Sequence, residues 1–137
     1  MTRLNVMQIL PALDSGGVER GTVQVAVGLA EQGHRAVVVS APGRLVTELE
    51  AGGAAHVNLP VGRKRVSTLR LIRPLAGLIE RERPDIVHVR SRLPAWVARA
   101  ALGRAARSGV RPHLVTTAHG PYSPGRYSAV MTRGECV

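Results

Sequence analysis

The 137-residue chain has one cysteine, one tryptophan, two tyrosines and no phenylalanine. A single thiol, Cys136, excludes an internal disulfide framework and a cysteine-built zinc site. Next to the last residue, it reads as a small strand residue. The scarcity of aromatics weakens any nucleic-acid reading that needs stacking platforms, for only Trp96, Tyr122 and Tyr127 could supply them. No apolar run reaches the roughly 18 residues of a membrane span. The opening "MTRLNVMQIL" is too short and too soon followed by Pro11 and Asp14 to be a secretory leader, so a cytoplasmic protein is expected. No histidine pair shows metal-ligand spacing on one element, and no metal or other cofactor is expected. Acidic residues are few as well, 9 against 19 basic, for a formal net charge of +10. Lysine is nearly absent, Lys64 standing among 18 arginines. Such a balance favours anionic partners, whether phosphates, nucleic acid or an anionic lipid surface. An arginine- and alanine-rich chain without phenylalanine fits a GC-rich coding bias equally well.

What is present is a regular alternation. With 45% hydrophobic residues and a mean hydropathy of +0.04, the chain can bury one domain's core. Strand-like runs at 4–10, 35–41, 55–60, 85–89 and 113–119 are separated by helix-like stretches at 18–33, 44–53, 67–83 and 94–108. Gly33 ends the first helix, and Gly52 and Gly53 stop the second. Pro94 suits a first helical turn, while Pro74 either kinks its helix or marks its start. Apolar strands without clean alternation, parted by helices, predict a doubly wound parallel α/β sheet of Rossmann-like type covered on both faces. The closing "RYSAVMTRGECV" reads as a helix and the opening of a further strand, which predicts a chain truncated before its next strand is complete.

In such sheets ligands bind beyond the carboxyl ends of the strands. After the first strand come Ser15, Gly16 and Gly17, where bare backbone at a helix N-terminus favours an anion such as phosphate. The alternative is a tight turn needing positive φ. The G-x-G-x-x-G dinucleotide fingerprint is absent, the second strand ends "VVVSAPG" without a ribose-binding acid, and no P-loop lysine follows. After the fourth strand stand Arg90, Ser91 and Arg92. His88, inside that strand, reads rather as a packed core residue. After the fifth strand, "TTAHGPYSPG" places His119 and Gly120 beside a flexible loop that carries Tyr122.

Three stretches, "ILPALDSGGVERGTVQVAVGLAEQGHRAVVVSAPG", "LIERERPDIVHVRSRLPAW" and "VTTAHGPYSP", together resemble the N-terminal domain of family 4 glycosyltransferases, retaining enzymes of the GT-B fold. The resemblance covers nearly all of residues 1–137. It implies an acceptor-side domain without the second, donor-binding domain and its paired glutamates, so this chain alone is expected to lack activity. It further implies transfer of a sugar from a nucleotide-sugar to a lipid-linked, lipopolysaccharide or polysaccharide acceptor, as in cell-envelope biosynthesis. Gly16 and Gly17 would then lie over the donor diphosphate, and His119 would stabilise charge that develops as the glycosidic bond breaks. Ser15, Arg90, Ser91, Arg92, Gly120 and Tyr122 would border the cleft. The missing domain, or a partner chain that supplies it, becomes an expected partner.

Two rival classes share part of this pattern. A basic nucleic-acid- or anion-binding module without catalysis would explain the charge, and a nicotinamide-dependent oxidoreductase would share the fold class but fails the fingerprint. A further expectation concerns "VGRKRVSTLRLIRPLAGLIERERP". Arg63, Lys64, Arg65, Arg70 and Arg73 gather at the start of a helix with Leu69, Ile72, Leu75 and Ile79 on one face, a combination that can lie on an anionic membrane. The alternative is that the apolar face packs on the sheet and the arginines are solvated.

Overall fold

A computed structural model of the chain describes residues 2–61, 70–90 and 92–117, with backbone alone at 92–94. Strands β1 (Asn5–Ala12), β2 (Arg35–Ala41), β3 (Ala55–Asn58), β4 (Ile86–Val89) and β5 (His113–Thr116) form one sheet in the order β3-β2-β1-β4-β5. Every neighbouring pair is parallel. Helices α1 (Gly17–Glu31), α2 (Val46–Ala51), α3 (Ile72–Glu82) and α4 (Arg92–Ala105) make the crossovers. This is the doubly wound α/β arrangement that the sequence predicts.

Successive strand residues point to opposite faces, and both faces are covered. Met7 and Ile9 pack with Leu75, Ile79, Ala98 and Ala101 beneath α3 and α4. Leu10 and Val38 pack with Val23, Ala26 and Leu49 beneath α1 and α2. The inner strand β2 is therefore apolar in both registers, with Ala36 through Val39 all buried. Leu75 and Ile79 are fully buried, and each such side chain contributes about 1.5–3 kcal/mol by leaving water. The apolar face of α3 thus lies on the sheet, and Arg70 and Arg73 are exposed. Arg63, Lys64, Arg65 and Leu69 lie outside the described residues.

Several boundaries differ from the sequence expectation. β1 runs past residue 10, through Pro11, to Ala12, and its register against β2 shifts between Ile9 and Ala12 because proline has no N–H for the ladder. Pro74 is the third residue of α3, where helical N–H groups have no intrahelical acceptor, so it marks the start and bends nothing. α3 accordingly begins at Ile72 rather than 67. α4 starts at Arg92, with Pro94 in its first turn, and gives way to a 3-10 turn over Ala106–Ser108. Gly33 ends α1 as expected, at φ 85° with its N–H on the Ala30 carbonyl at 3.0 Å. The helix and strand expected at 126–137 lie outside the described residues.

Polar contacts fasten the amino edge of the sheet. Asn5 N–H donates to Asp85 Oδ2 at 2.8 Å and Leu4 N–H to His34 Nδ1 at 3.0 Å. The Arg35 guanidinium grips both carboxylate oxygens of Glu82, at 2.8 and 3.1 Å. At the carboxyl edge the fastening is steric. The backbone of Gly43, after β2, lies so close to the Leu13 carbonyl that no Cβ fits between them, and Leu45 N–H donates to that carbonyl at 3.0 Å.

Two outcomes are expected. Gly43→Ala must push the two loops apart and should cost about 1–3 kcal/mol in urea unfolding, whereas Gly21→Ala, inside α1 where a Cβ meets nothing within 4 Å, should gain about 0.5–1 kcal/mol. His56, whose Nε2 is 3.0 Å from Ser40 Oγ, is held below its usual pKa of 6.5, chiefly by burial, against the opposing pull of Glu50 and Ser40. A histidine with a lowered folded pKa binds protons more weakly than in the unfolded chain. Its contribution is therefore complete above about pH 6.5 and is lost as pH falls below it. The urea midpoint should drop between about pH 7.5 and pH 5.5, and His56→Gln should flatten that slope.

Candidate functional site

β2 and β3 lie on one side of β1, and β4 and β5 on the other, so the connections leave the carboxyl edge in opposite directions between β1 and β4. That divergence opens a crevice, the usual ligand position in this fold. Onto it converge the end of β1 with the start of α1, and the end of β4.

Gly16 is the N-cap of α1, in extended conformation at φ −73° and ψ 168°, and Gly17 is the first helical residue. Ser15, Gly16 and Gly17 are all exposed. No side chain caps this end, and the Gly16 carbonyl takes the first helical bond from Arg20 N–H at 3.0 Å. Among the described residues the opening N–H groups therefore lack a side-chain cap, although the Glu19 carboxylate lies close to their partial positive charge. Neither glycine has positive φ, so a tight turn is not what requires them. At Gly16 the far end of the flexible Glu19 side chain, its carboxylate, lies where a Cβ would be. At Gly17 a Cβ meets nothing within 4 Å among the described residues.

Glu19 joins the site without having been a sequence candidate. It occupies the third position of α1, where an acid is stabilised by the helix dipole, and the pattern Gly-Gly-x-Glu could have announced it. Its carboxylate leans over the same helix end that an incoming phosphate would approach.

Across the crevice, Arg90 follows β4, with its N–H on the Ile9 carbonyl at 3.0 Å. Its side chain is half-buried, and Nε donates to Gln8 Oε1 at 3.0 Å. Burial pulls the guanidinium below its ordinary pKa, though it stays charged at neutral pH. Gln8 is itself buried on β1 and donates from Nε2 to the Thr22 carbonyl of α1 at 3.2 Å. Thr22 Oγ1 then donates to the Val18 carbonyl at 2.8 Å. A hydrogen-bonded chain thus ties the end of β4 to the first turns of α1. Gln8, the one polar side chain in the apolar run "VMQILPA", is its sequence signal. His88 sits half-buried beside Gln8 in register and is hydrogen-bonded through Nε2 to Thr117 Oγ1, as expected of a packed residue.

Of the other candidate residues, Arg92 is placed by its backbone as the first residue of α4. Ser91, His119, Gly120 and Tyr122 lie outside the described residues. Two other hollows are differently made. One of about 480 Å³ at the amino edge is lined by Arg83, Asp85, Arg111 and His113, among others. One of about 490 Å³ between α1 and α2 presents Glu31 and Glu48, which disfavour an anion. Among the described residues no three His, Cys, Asp or Glu side chains are grouped to hold a metal ion, and no helix is long and apolar enough to cross a membrane.

A doubly wound domain with a bare helix start and an arginine at its crevice defines the class, and comparison with known proteins gives the family. The chain belongs to Glycosyltransferase Family 4, whose pattern matches residues 15–135. A glycosyltransferase structure from Rickettsia africae ESF-5 is similar at 33% identity and TM-score 0.79, over 98% of this chain and 36% of that one. CalG4, the calicheamicin glycosyltransferase, is similar at 17% identity and TM-score 0.55, over 98% of this chain and 38% of that one. The C-terminal domain of the PF1911 hydrogenase from Pyrococcus furiosus is similar at 17% identity and TM-score 0.51, over 84% of this chain and 94% of that domain. The last two show the fold alone. No curated protein matches the chain. The chain spans little more than a third of the two glycosyltransferases.

Because neither φ nor packing among the described residues requires a glycine at position 17, Gly17→Ala should raise stability by about 0.5–1 kcal/mol. The same change should weaken pyrophosphate binding. Thermal unfolding and calorimetric titration check the two halves, and a variant no more stable than the parent would show a structural need for the glycine.

Proposed function

We propose that this chain contributes one Rossmann-like half of a retaining GT-B glycosyltransferase, which moves a sugar from a nucleotide-sugar to a lipid-linked, lipopolysaccharide or polysaccharide acceptor. The observation that carries the reading is Gly17: among the described residues nothing meets a Cβ there within 4 Å, and it opens a helix whose N-cap makes no side-chain hydrogen bond. A donor diphosphate is the anion that such an end would take in a sugar transferase. The family match favours this reading over the nucleic-acid and nicotinamide alternatives.

In this mechanism the bond between the sugar's anomeric carbon and the diphosphate breaks while the acceptor hydroxyl adds to that carbon and passes its proton to the departing diphosphate. Negative charge grows on the departing diphosphate, and the amides of Gly16 and Gly17 stabilise it. His119 is proposed to stabilise charge at the donor sugar. The remaining domain supplies the nucleotide contacts, and no metal is invoked. The enzyme works in the cytoplasm, where Arg63, Lys64, Arg65, Arg70 and Arg73 give peripheral attraction to an anionic membrane. With the apolar face of α3 buried in the core, that attraction is electrostatic, about 1 kcal/mol per basic residue, and should vanish with salt.

The test uses this chain joined to the second domain of such an enzyme. Gly17→Val should abolish donor binding, and His119→Ala should lower kcat more than it weakens donor affinity. Full transferase activity in Gly17→Val would contradict the diphosphate assignment. Lost donor affinity with unchanged kcat in His119→Ala would contradict the role of the histidine.

A further inference from the structure

The arrangement around Arg90 is costly unless it serves a ligand. A glutamine is buried in the middle strand, at 1% exposure, where an apolar residue would pack equally well. Its amide divides between the Thr22 carbonyl and the Nε of Arg90. Arg90 is half-buried, yet among the described residues no carboxylate pairs with it, and Glu82 is engaged by Arg35 at the opposite edge. Gln8 takes Nε, and among the described residues no hydrogen bond engages the two Nη groups, which remain as a fork. A neutral acceptor fixes a guanidinium without cancelling its charge, whereas a carboxylate in the same place would do both. The hydrogen-bonded chain through Thr22 and Val18 further ties the orientation of that fork to the helix turn that carries Gly17.

We propose that Arg90 is an anion-binding residue of the crevice, taking a phosphate group through its Nη fork, and that Gln8 is the positioning residue that aims it. The proposal rests on the reading of the carboxyl edge as the phosphate-binding side, and it adds to the glycine amides a charged group and the buried amide behind it. A guanidinium fork matches two oxygens of one phosphate, so the ligand is a phosphate ester or diphosphate rather than a neutral sugar. Two sources offer that chemistry: the diphosphate of the donor, and a phosphate carried by the acceptor.

The experiment is a titration of the 137-residue chain, followed by NMR of backbone amides and arginine Nε–H groups, with pyrophosphate in one arm and glycerol 1-phosphate in the other. Pyrophosphate should move the signals of Gly17 and Arg90 together. Arg90→Gln should weaken its binding by about tenfold or more, as loss of a charge-assisted pair implies, with the chain still folded but less stable because Gln8 Oε1 loses its donor. Gln8→Met, of similar volume, should keep the fold, displace the Arg90 Nε–H signal and weaken binding by about threefold to tenfold. If glycerol 1-phosphate instead binds with the same dependence on Arg90 and leaves Gly17 unmoved, the fork serves the acceptor and the proposal stands for that source. Unchanged affinity for both probes in Arg90→Gln overturns the proposal, as does a wild-type chain that binds neither. A Gln8→Met variant that is less stable but binds undiminished overturns the positioning role. Gly17→Val separates the two readings. Binding that survives it but fails in Arg90→Gln removes the glycine assignment alone, and the reverse pattern removes Arg90 alone.

Discussion

A single buried amide, that of Gln8, links the parts of the crevice. The centre of a sheet covered on both faces offers no water, so both ends of a glutamine there must be satisfied by protein. One end takes the helix carbonyl of Thr22 and the other the guanidinium of Arg90. Because β1 and β4 are parallel neighbours with Gln8 opposite His88, Arg90 falls just beyond the end of the strand, within reach of the amide. The position of the arginine, the tilt of the first turns of α1 and the width of the crevice between them are therefore coupled. That coupling is local, and the apolar layers on either side make it rigid.

Three glycines at this edge stand in three different surroundings. Gly43 admits the carbonyl of Leu13, and any side chain would part the two loops. Gly16 yields its space to the carboxylate of Glu19. Gly17 yields its space to nothing in the described protein. The Glu19 carboxylate complements the helix dipole in the free chain and is also a like charge to any phosphate that arrives. Binding at Gly17 must therefore work against Glu19 unless that flexible side chain swings aside, and Arg90 on the far wall supplies charge of the favourable sign.

The parallel sheet and its two-layer covering were legible because apolar runs without alternation, parted by helices, fit few arrangements besides a sheet buried on both faces. Ends were less legible. Pro11 sits inside β1 because a register shift absorbs its missing N–H, which no local pattern announces. Pro74 resolved in favour of a helix start because the residues before it, at 70–71, form a 3-10 turn. The place of the paired glycines and Arg90 at the carboxyl edge was legible because each follows the carboxyl end of a strand. Gln8, Thr22 and Gly43 were not, because their roles depend on contacts between segments distant in sequence, 14 residues apart for Gln8 with Thr22 and 82 for Gln8 with Arg90. The apolar stripe of α3 fitted a membrane surface and a protein core equally until its partners were known, and the core holds it.

If the carboxyl edge, rather than another basic hollow, receives phosphate, a crystal of the chain soaked with pyrophosphate will show it. Density for the ion should lie against the Gly16 and Gly17 amides, with the Arg90 fork within hydrogen-bonding distance. Density instead in the amino-edge hollow beside Arg83, Arg111 and His113, with the Gly17 turn unchanged, would contradict this assignment.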